Sequence, residues 1–157
     1  MNFLFLCTGN SCRSILSEAI FNARAPEGFS ACSAGSKPTG KVHPLTLKTL
    51  QNLGISTQGL SSKTMQDCEQ FNPQVVITVC GSAAAEPCPL YLGKAIKAHW
   101  GLEDPSHLEV SEDEKMQAFM QTVEHINRRF DAFFALDLAH LSPEKLIVEI
   151  NKISEIA

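Results

Sequence analysis

Residues 74–80, Gln-Val-Val-Ile-Thr-Val-Cys, constrain the fold of this chain more than any other stretch. β-Branched side chains crowd a helix but pack well on a pleated surface. The run is almost continuously apolar rather than alternating, which marks a strand covered on both faces, as in a parallel sheet. Residues 2–7 (Asn-Phe-Leu-Phe-Leu-Cys) read the same way, and residues 29–34 and 95–100 supply two further strands. Helical patterns lie between and after them. Ile15, Ala19 and Ala23 share a stripe beside Leu16 and Ile20, and Pro26 ends it. Pro44 to Leu53 carries Leu45, Leu47, Leu50 and Leu53 and stops at Gly54, where a left-handed cap is easiest. The segment Ser-Glu-Asp-Glu-Lys at 111–115 opens a long helix with acids on its positive dipole end. Its apolar stripe is Met116, Phe119, Val123, Ile126 and Phe130. Ser142 and Pro143 start a last helix bearing Leu146, Ile150 and Ile153. Strands alternating with helices predict an α/β fold: a three-layer sandwich with a mostly parallel, four-stranded sheet flanked by helices. No repeat or linker interrupts it, so residues 1–157 read as one domain.

Charge narrows the partners. The net charge of -4 and the lack of a Lys/Arg-rich run argue against nucleic-acid binding, so any anion site has to be local. No stretch approaches the roughly twenty apolar residues of a membrane span. Six cysteines (Cys7, Cys12, Cys32, Cys68, Cys80, Cys88) without a secretory signal point to a reducing cytoplasm and to thiol chemistry rather than a disulfide framework. The five histidines lack metal-ligand spacing with these cysteines, so no metal is expected.

One loop has no hydrophobic periodicity at all. Cys7-Thr8-Gly9-Asn10-Ser11-Cys12-Arg13, followed by Ser14, is a C-x5-R spacing between a strand and a helix. A loop at a helix N-terminus turns backbone N–H groups inward, and the helix dipole adds positive potential; together they cradle a tetrahedral oxyanion. Gly9 lets the backbone curl, and Asn10 tolerates a positive φ. Arg13 can fork onto two oxygens. The same field is expected to depress the pKa of Cys7 and make it a thiolate nucleophile, with Ser14 donating a hydroxyl hydrogen bond to the sulfur.

This loop resembles the catalytic loop of the low-molecular-weight protein tyrosine phosphatase superfamily, with its closest match in the arsenate reductase branch. The resemblance extends to Ser-Ala-Gly-Ser at 33–36, Val-His-Pro at 42–44, Cys80 and Cys88, and His-Trp-Gly-Leu-Glu-Asp-Pro at 99–105. Two features separate the branches. Phosphatases of this family follow the Asp-Pro with tyrosines, whereas here Asp104-Pro105 precedes Ser106-His107 and the chain has one tyrosine, Tyr91. A phosphatase has no use for Cys80 and Cys88; a reductase does, because two thiols becoming a disulfide supply the two electrons that take As(V) to As(III).

The resemblance implies that Cys7 attacks arsenate while Asp104 acts as general acid. Cys80 then attacks Cys7, and Cys88 attacks Cys80, passing a disulfide outward to an external reductant. It implies no bound cofactor. Arsenate is the implied substrate, with phosphate and sulfate as analogues, and thioredoxin is the implied reductant ahead of glutaredoxin and glutathione. In thioredoxin-coupled members the resolving cysteines stand seven positions apart; here the step from 80 to 88 is eight, which leaves the reductant open. Phosphotyrosine or small phosphate-ester hydrolysis by Cys7, Arg13 and Asp104 is the alternative, and a non-catalytic oxyanion or redox module is the third reading. Some relatives place an aspartate near Lys63 to help hold a potassium ion. An ammonium can fill that role here, with Asn10, Glu18 and Ser33 as neighbours. Cys12 reads as a packing thiol or a side-reaction partner of Cys7, Cys32 and Cys68 as packing thiols, and His99-Trp100 as shaping the approach to Asp104.

Overall fold

The computed structural model describes residues 1–81, 92–107 and 109–156. Its strands are β1 (Asn2–Cys7), β2 (Ser30–Gly35), β3 (Val75–Thr78) and β4 (Ile96–His99). Its helices are α1 (Arg13–Arg24), α2 (Pro44–Asn52), α3 (Glu112–Phe134) and α4 (Pro143–Ile153), with 3-10 turns at Gln66–Phe71 and Pro105–His107. The strands form one sheet in the order β2-β1-β3-β4, and all three pairings are parallel.

The continuous apolar character of β1 is explained by its central place. Side chains alternate between sheet faces, and Phe3, Leu4, Phe5 and Leu6 are all buried, so both faces are covered. Phe3 and Phe5 lie against Phe21 of α1 and Phe130 and Phe133 of α3, with ring centroids 4.8 Å apart for Phe3–Phe21 and 5.9 Å for Phe5–Phe130. Tilted and edge-on rings at such separations contribute beyond their buried area. Helix boundaries follow from caps. Ser111 and Ser142 side chains accept from Glu114 N and Lys145 N, and Gly54 takes φ 72° just beyond α2.

The strand expected over 74–80 is shorter. Val75–Thr78 pair with Phe3–Leu6, after which Val79 N still donates to Leu6 O at 2.9 Å. Beyond that, β1 has itself curled into a loop and offers no further ladder. Cys80 is therefore released from the sheet.

Topology places the functional end. From β1 the chain crosses to β2 on one side and later to β3 on the other, so the order reverses at β1. In open parallel sheets, ligands bind at the carboxyl ends of the strands flanking such a switch point. Cys7 ends β1, and Cys80 follows β3.

Candidate active site

Cys7 closes β1 and Arg13 opens α1, and the intervening loop is held from outside. The carbonyl of Thr8 accepts from Lys37 N at 3.0 Å, and that of Gly9 from Thr39 N at 3.0 Å and Ser62 Oγ at 3.1 Å. The Ser11 carbonyl accepts from His43 N at 2.9 Å and Thr46 Oγ1 at 3.0 Å. In a trans peptide the N–H opposes the carbonyl. Outward-bound carbonyls thus turn the N–H groups of Gly9, Asn10 and Cys12 inward, at the positive end of the α1 dipole.

The inward face is a pocket of about 680 Å³ lined by the loop, Arg13, Cys80 and Asp104. Its floor is set by buried polar contacts. Asn10 takes φ 47°, and its amide nitrogen donates to Ser14 Oγ at 2.8 Å and Ser33 Oγ at 3.0 Å. Ser33 Oγ donates to Glu18 Oε1 at 2.8 Å, and Lys63 Nζ lies 3.3 Å from the same oxygen. The loop is therefore tied to β2 and α1 through groups that are themselves satisfied. Gly35 makes the approach possible: a Cβ there would stand 2.5 Å from Thr8 O and 3.0 Å from Asn10 Cβ. That is the physical role of the Ser-Ala-Gly-Ser segment.

The sulfur of Cys80 receives Thr8 N at 3.3 Å and lies 3.5 Å from Thr8 Oγ1. Cys7 lines the same pocket. Hydrogen bonding with Cys80, followed by burial, raises the Cys7 pKa far above the ordinary thiol value, while Arg13 and Thr8 N–H pull it down. The depressed pKa expected from the loop field is thus corrected: Arg13 and the Thr8 N–H do lower it, but the neighbouring Cys80 thiol and burial outweigh them. Cys12 is pushed up to about 12, by burial first and then by Asp104.

Arg13 Nη2 pairs with Asp104 Oδ2 at 3.3 Å, and Nη1 donates to Leu102 O at 3.1 Å. Asp104 Oδ1 accepts from Ser106 N at 2.9 Å and Ser106 Oγ at 2.6 Å. Arg13, Asp104 and the cysteines Cys7, Cys12 and Cys80 therefore line one pocket.

A model of the family described as low molecular weight phosphotyrosine protein phosphatase matches residues 2–145. The chain belongs to that family. Among curated members, an arsenate reductase of Bacillus licheniformis is 33% identical over 82% of this chain and 91% of its own. A solved arsenate reductase in a phosphate-binding state superposes with TM-score 0.64 at 25% identity, covering 81% of this chain and 94% of that one. The thioredoxin-dependent arsenate reductase of Corynebacterium glutamicum superposes with TM-score 0.62 at 26% identity over 85% of this chain and 62% of that one. The family resemblance read from the loop thus extends over most of the chain, and the similar proteins include reductases.

Within this family fold, the structure brings together Cys7, the loop residues Thr8 to Cys12, Arg13, Cys80 and Asp104. Cys88 lies outside the described residues. Ser14 is buried and its oxygen accepts from Asn10 Nδ2 at 2.8 Å, which ties it to the loop. Trp100 is not at the pocket; it is buried, and its Nε1 donates to Ile150 O at 3.0 Å, fastening α4. His99 Nδ1 faces Thr78 Oγ1 at 2.7 Å. Four pocket residues are not marked as site residues by the sequence: Lys37, Thr39, Gly81 and Ser106. A signal existed for Lys37 and Thr39, since their loop follows β2, and β2 ends level with Cys7 in a parallel sheet.

Proposed function

We propose that this chain reduces arsenate to arsenite through Cys7, Cys80 and Cys88. The oxyanion occupies the N–H cradle, forked by Arg13 once that side chain leaves Asp104. Cys7 sulfur attacks arsenic as its thiol proton passes to an arsenate oxygen; one As–O bond breaks, and Asp104 protonates the departing oxygen, which leaves as water. Cys80 sulfur then attacks Cys7 sulfur. The S–As bond breaks, its electron pair stays on arsenic, and arsenite leaves as the Cys7–Cys80 disulfide forms. Cys88 attacks Cys80, returning Cys7 as a thiolate and leaving a Cys80–Cys88 disulfide for an external dithiol. Thioredoxin is the first candidate for that dithiol, with glutaredoxin and glutathione second, in a reducing compartment such as the cytoplasm.

The observation that carries this reading is the sulfur of Cys80, which lines the same pocket as Cys7 and receives the N–H of Thr8, the residue that follows Cys7. Ester hydrolysis has no need of a second sulfur there. The phosphatase alternative rests on the same cradle, Arg13 and Asp104.

The test is arsenite release by wild type, Cys7→Ser, Cys80→Ser and Cys88→Ser, supplied in turn with thioredoxin and with glutaredoxin plus glutathione. The expected result is multiple turnover by wild type alone, with a single arsenite from Cys88→Ser. Cys80→Ser and Cys88→Ser proteins that turn over like wild type, or phosphate-ester hydrolysis with no arsenate turnover, would overturn it.

A further inference from the structure

Two more cysteines meet behind the active site. Cys32 lies on β2 and Cys68 on the Gln66–Phe71 turn, and their sulfurs are 2.8 Å apart. This is wider than a covalent S–S bond of about 2.05 Å, yet close enough for one thiol to hydrogen-bond the other. Cys68 also donates to Ser33 O at 3.5 Å. The pair joins segments fixed independently. β2 is in register with β1 along its whole length. The approach to Cys68 is set by the Gly35–Thr64 bridge and Gly35 N donating to Lys63 O at 2.9 Å.

The two sulfurs differ. Cys68 is fully buried, whereas Cys32 is partly exposed. The Cys68 hydrogen bond is the largest effect holding the Cys32 pKa below the ordinary thiol value, and the Lys63 ammonium adds to it. Cys68 is raised, first by its hydrogen bond with Cys32 and then by burial. A partly exposed cysteine favouring its thiolate beside a fully buried thiol is the arrangement of a nucleophile and its resolving partner.

We propose that Cys32 and Cys68 form a second redox pair that closes to a disulfide on exposure to a hydroperoxide, separately from the active-site thiols. Cys32 thiolate attacks a peroxide oxygen. The O–O bond breaks, the leaving oxygen takes a proton from solvent and departs as water or alcohol, and Cys32 becomes a sulfenic acid. Cys68 sulfur attacks Cys32 sulfur, the S–O bond breaks, and the oxygen leaves as water with the Cys68 proton. The pair gives up two electrons, the peroxide accepts them, and an external dithiol reverses the bond. The disulfide would bind β2 to the segment just after Lys63, whose ammonium faces Glu18 beneath the oxyanion loop. This holds whichever oxyanion reaction Cys7 performs.

The test is peptide mapping of the reduced full chain after hydrogen peroxide treatment and alkylation without reduction. The expected product is a Cys32–Cys68 linked peptide lacking two hydrogens, with a rise in Tm on the order of 5 °C. Cys68→Ala is expected to lose the linked peptide, to leave any sulfenic acid formed at Cys32 dimedone-trappable, and to show no rise in Tm. Cys32→Ser is expected to leave Cys68 alkylatable once unfolded and to keep oxyanion turnover. Both thiols remaining alkylatable in wild type after Cys7 and Cys80 are oxidised would overturn the proposal, as would wild-type Cys32 passing to sulfinic acid. The wild-type map decides the matter even if a variant fails to fold.

Discussion

Thr8 N–H donates to the sulfur of Cys80 at 3.3 Å, so the residue after the β1 cysteine holds the cysteine that follows β3. Two strands adjacent at the switch point thereby bring two thiols together in one pocket. The hydrogen bond with Cys80 is the largest cause of the raised Cys7 pKa, while Arg13 and Thr8 N–H act in the opposite direction. Removing the second sulfur leaves the lowering forces opposed only by burial. Cys80→Ala is therefore expected to move the Cys7 alkylation profile to lower pH. The alkylation rate at neutral pH then rises about tenfold for each pH unit the profile moves. Iodoacetamide kinetics against pH measure this. An unchanged profile would show that Cys80 does not control the Cys7 thiol.

Gly35 lies where the loop closes on β2. A methyl group there meets Thr8 O at 2.5 Å, a backbone atom that cannot turn aside. Gly35→Ala is expected to push the cradle outward. The anticipated costs are about 1–3 kcal/mol of stability and a loss of activity on the order of 100-fold from misplaced N–H donors. Urea unfolding and steady-state kinetics check the two effects, and a fully active Gly35→Ala would show that the contact yields at no cost.

Much of this site was legible because its parts are local. The C-x5-R spacing, the strand before it and the helix after it sit within one short stretch, and Asn10 adopts the positive φ its residue type permits. The periodicity around Phe119, Phe130, Leu146 and Ile150 marked the helical faces that are buried. What was not legible depends on distant segments meeting. Nothing in the spacing of Cys32 and Cys68 signals that their sulfurs touch. Nor did the sequence disclose that Cys80 would reverse the direction in which the Cys7 pKa moves, since the loop field alone argues the other way. Trp100, placed by motif near the acid, is a core anchor because its N–H finds the Ile150 carbonyl.

Lys63 Nζ stands 3.3 Å from Glu18 Oε1, with both side chains mostly buried, and also donates to Ser61 O at 3.2 Å. Asn10 contributes through its side-chain oxygen, which accepts from Lys63 N at 2.9 Å. An ammonium already compensates Glu18, so added potassium is expected to leave wild-type turnover unchanged relative to sodium. Lys63→Met leaves the carboxylate without its cation. After allowing for partial exposure, it is expected to lose about 2 kcal/mol of stability. Denaturant titrations in potassium and sodium salts, alongside turnover, read both effects. Potassium activation of wild type would contradict the assignment.

The proposed relay turns on one step, in which Cys80 takes over the sulfur of Cys7 after arsenate has bound. That step is tested most directly in Cys88→Ser, which cannot pass the disulfide onward. One equivalent of arsenate is added to the reduced protein, and non-reducing peptide mapping follows acid quench. The expected product is a Cys7–Cys80 linked peptide formed in step with one released arsenite. Arsenite release with Cys7 and Cys80 both still alkylatable, or linkage of Cys7 to Cys12 instead, would contradict it.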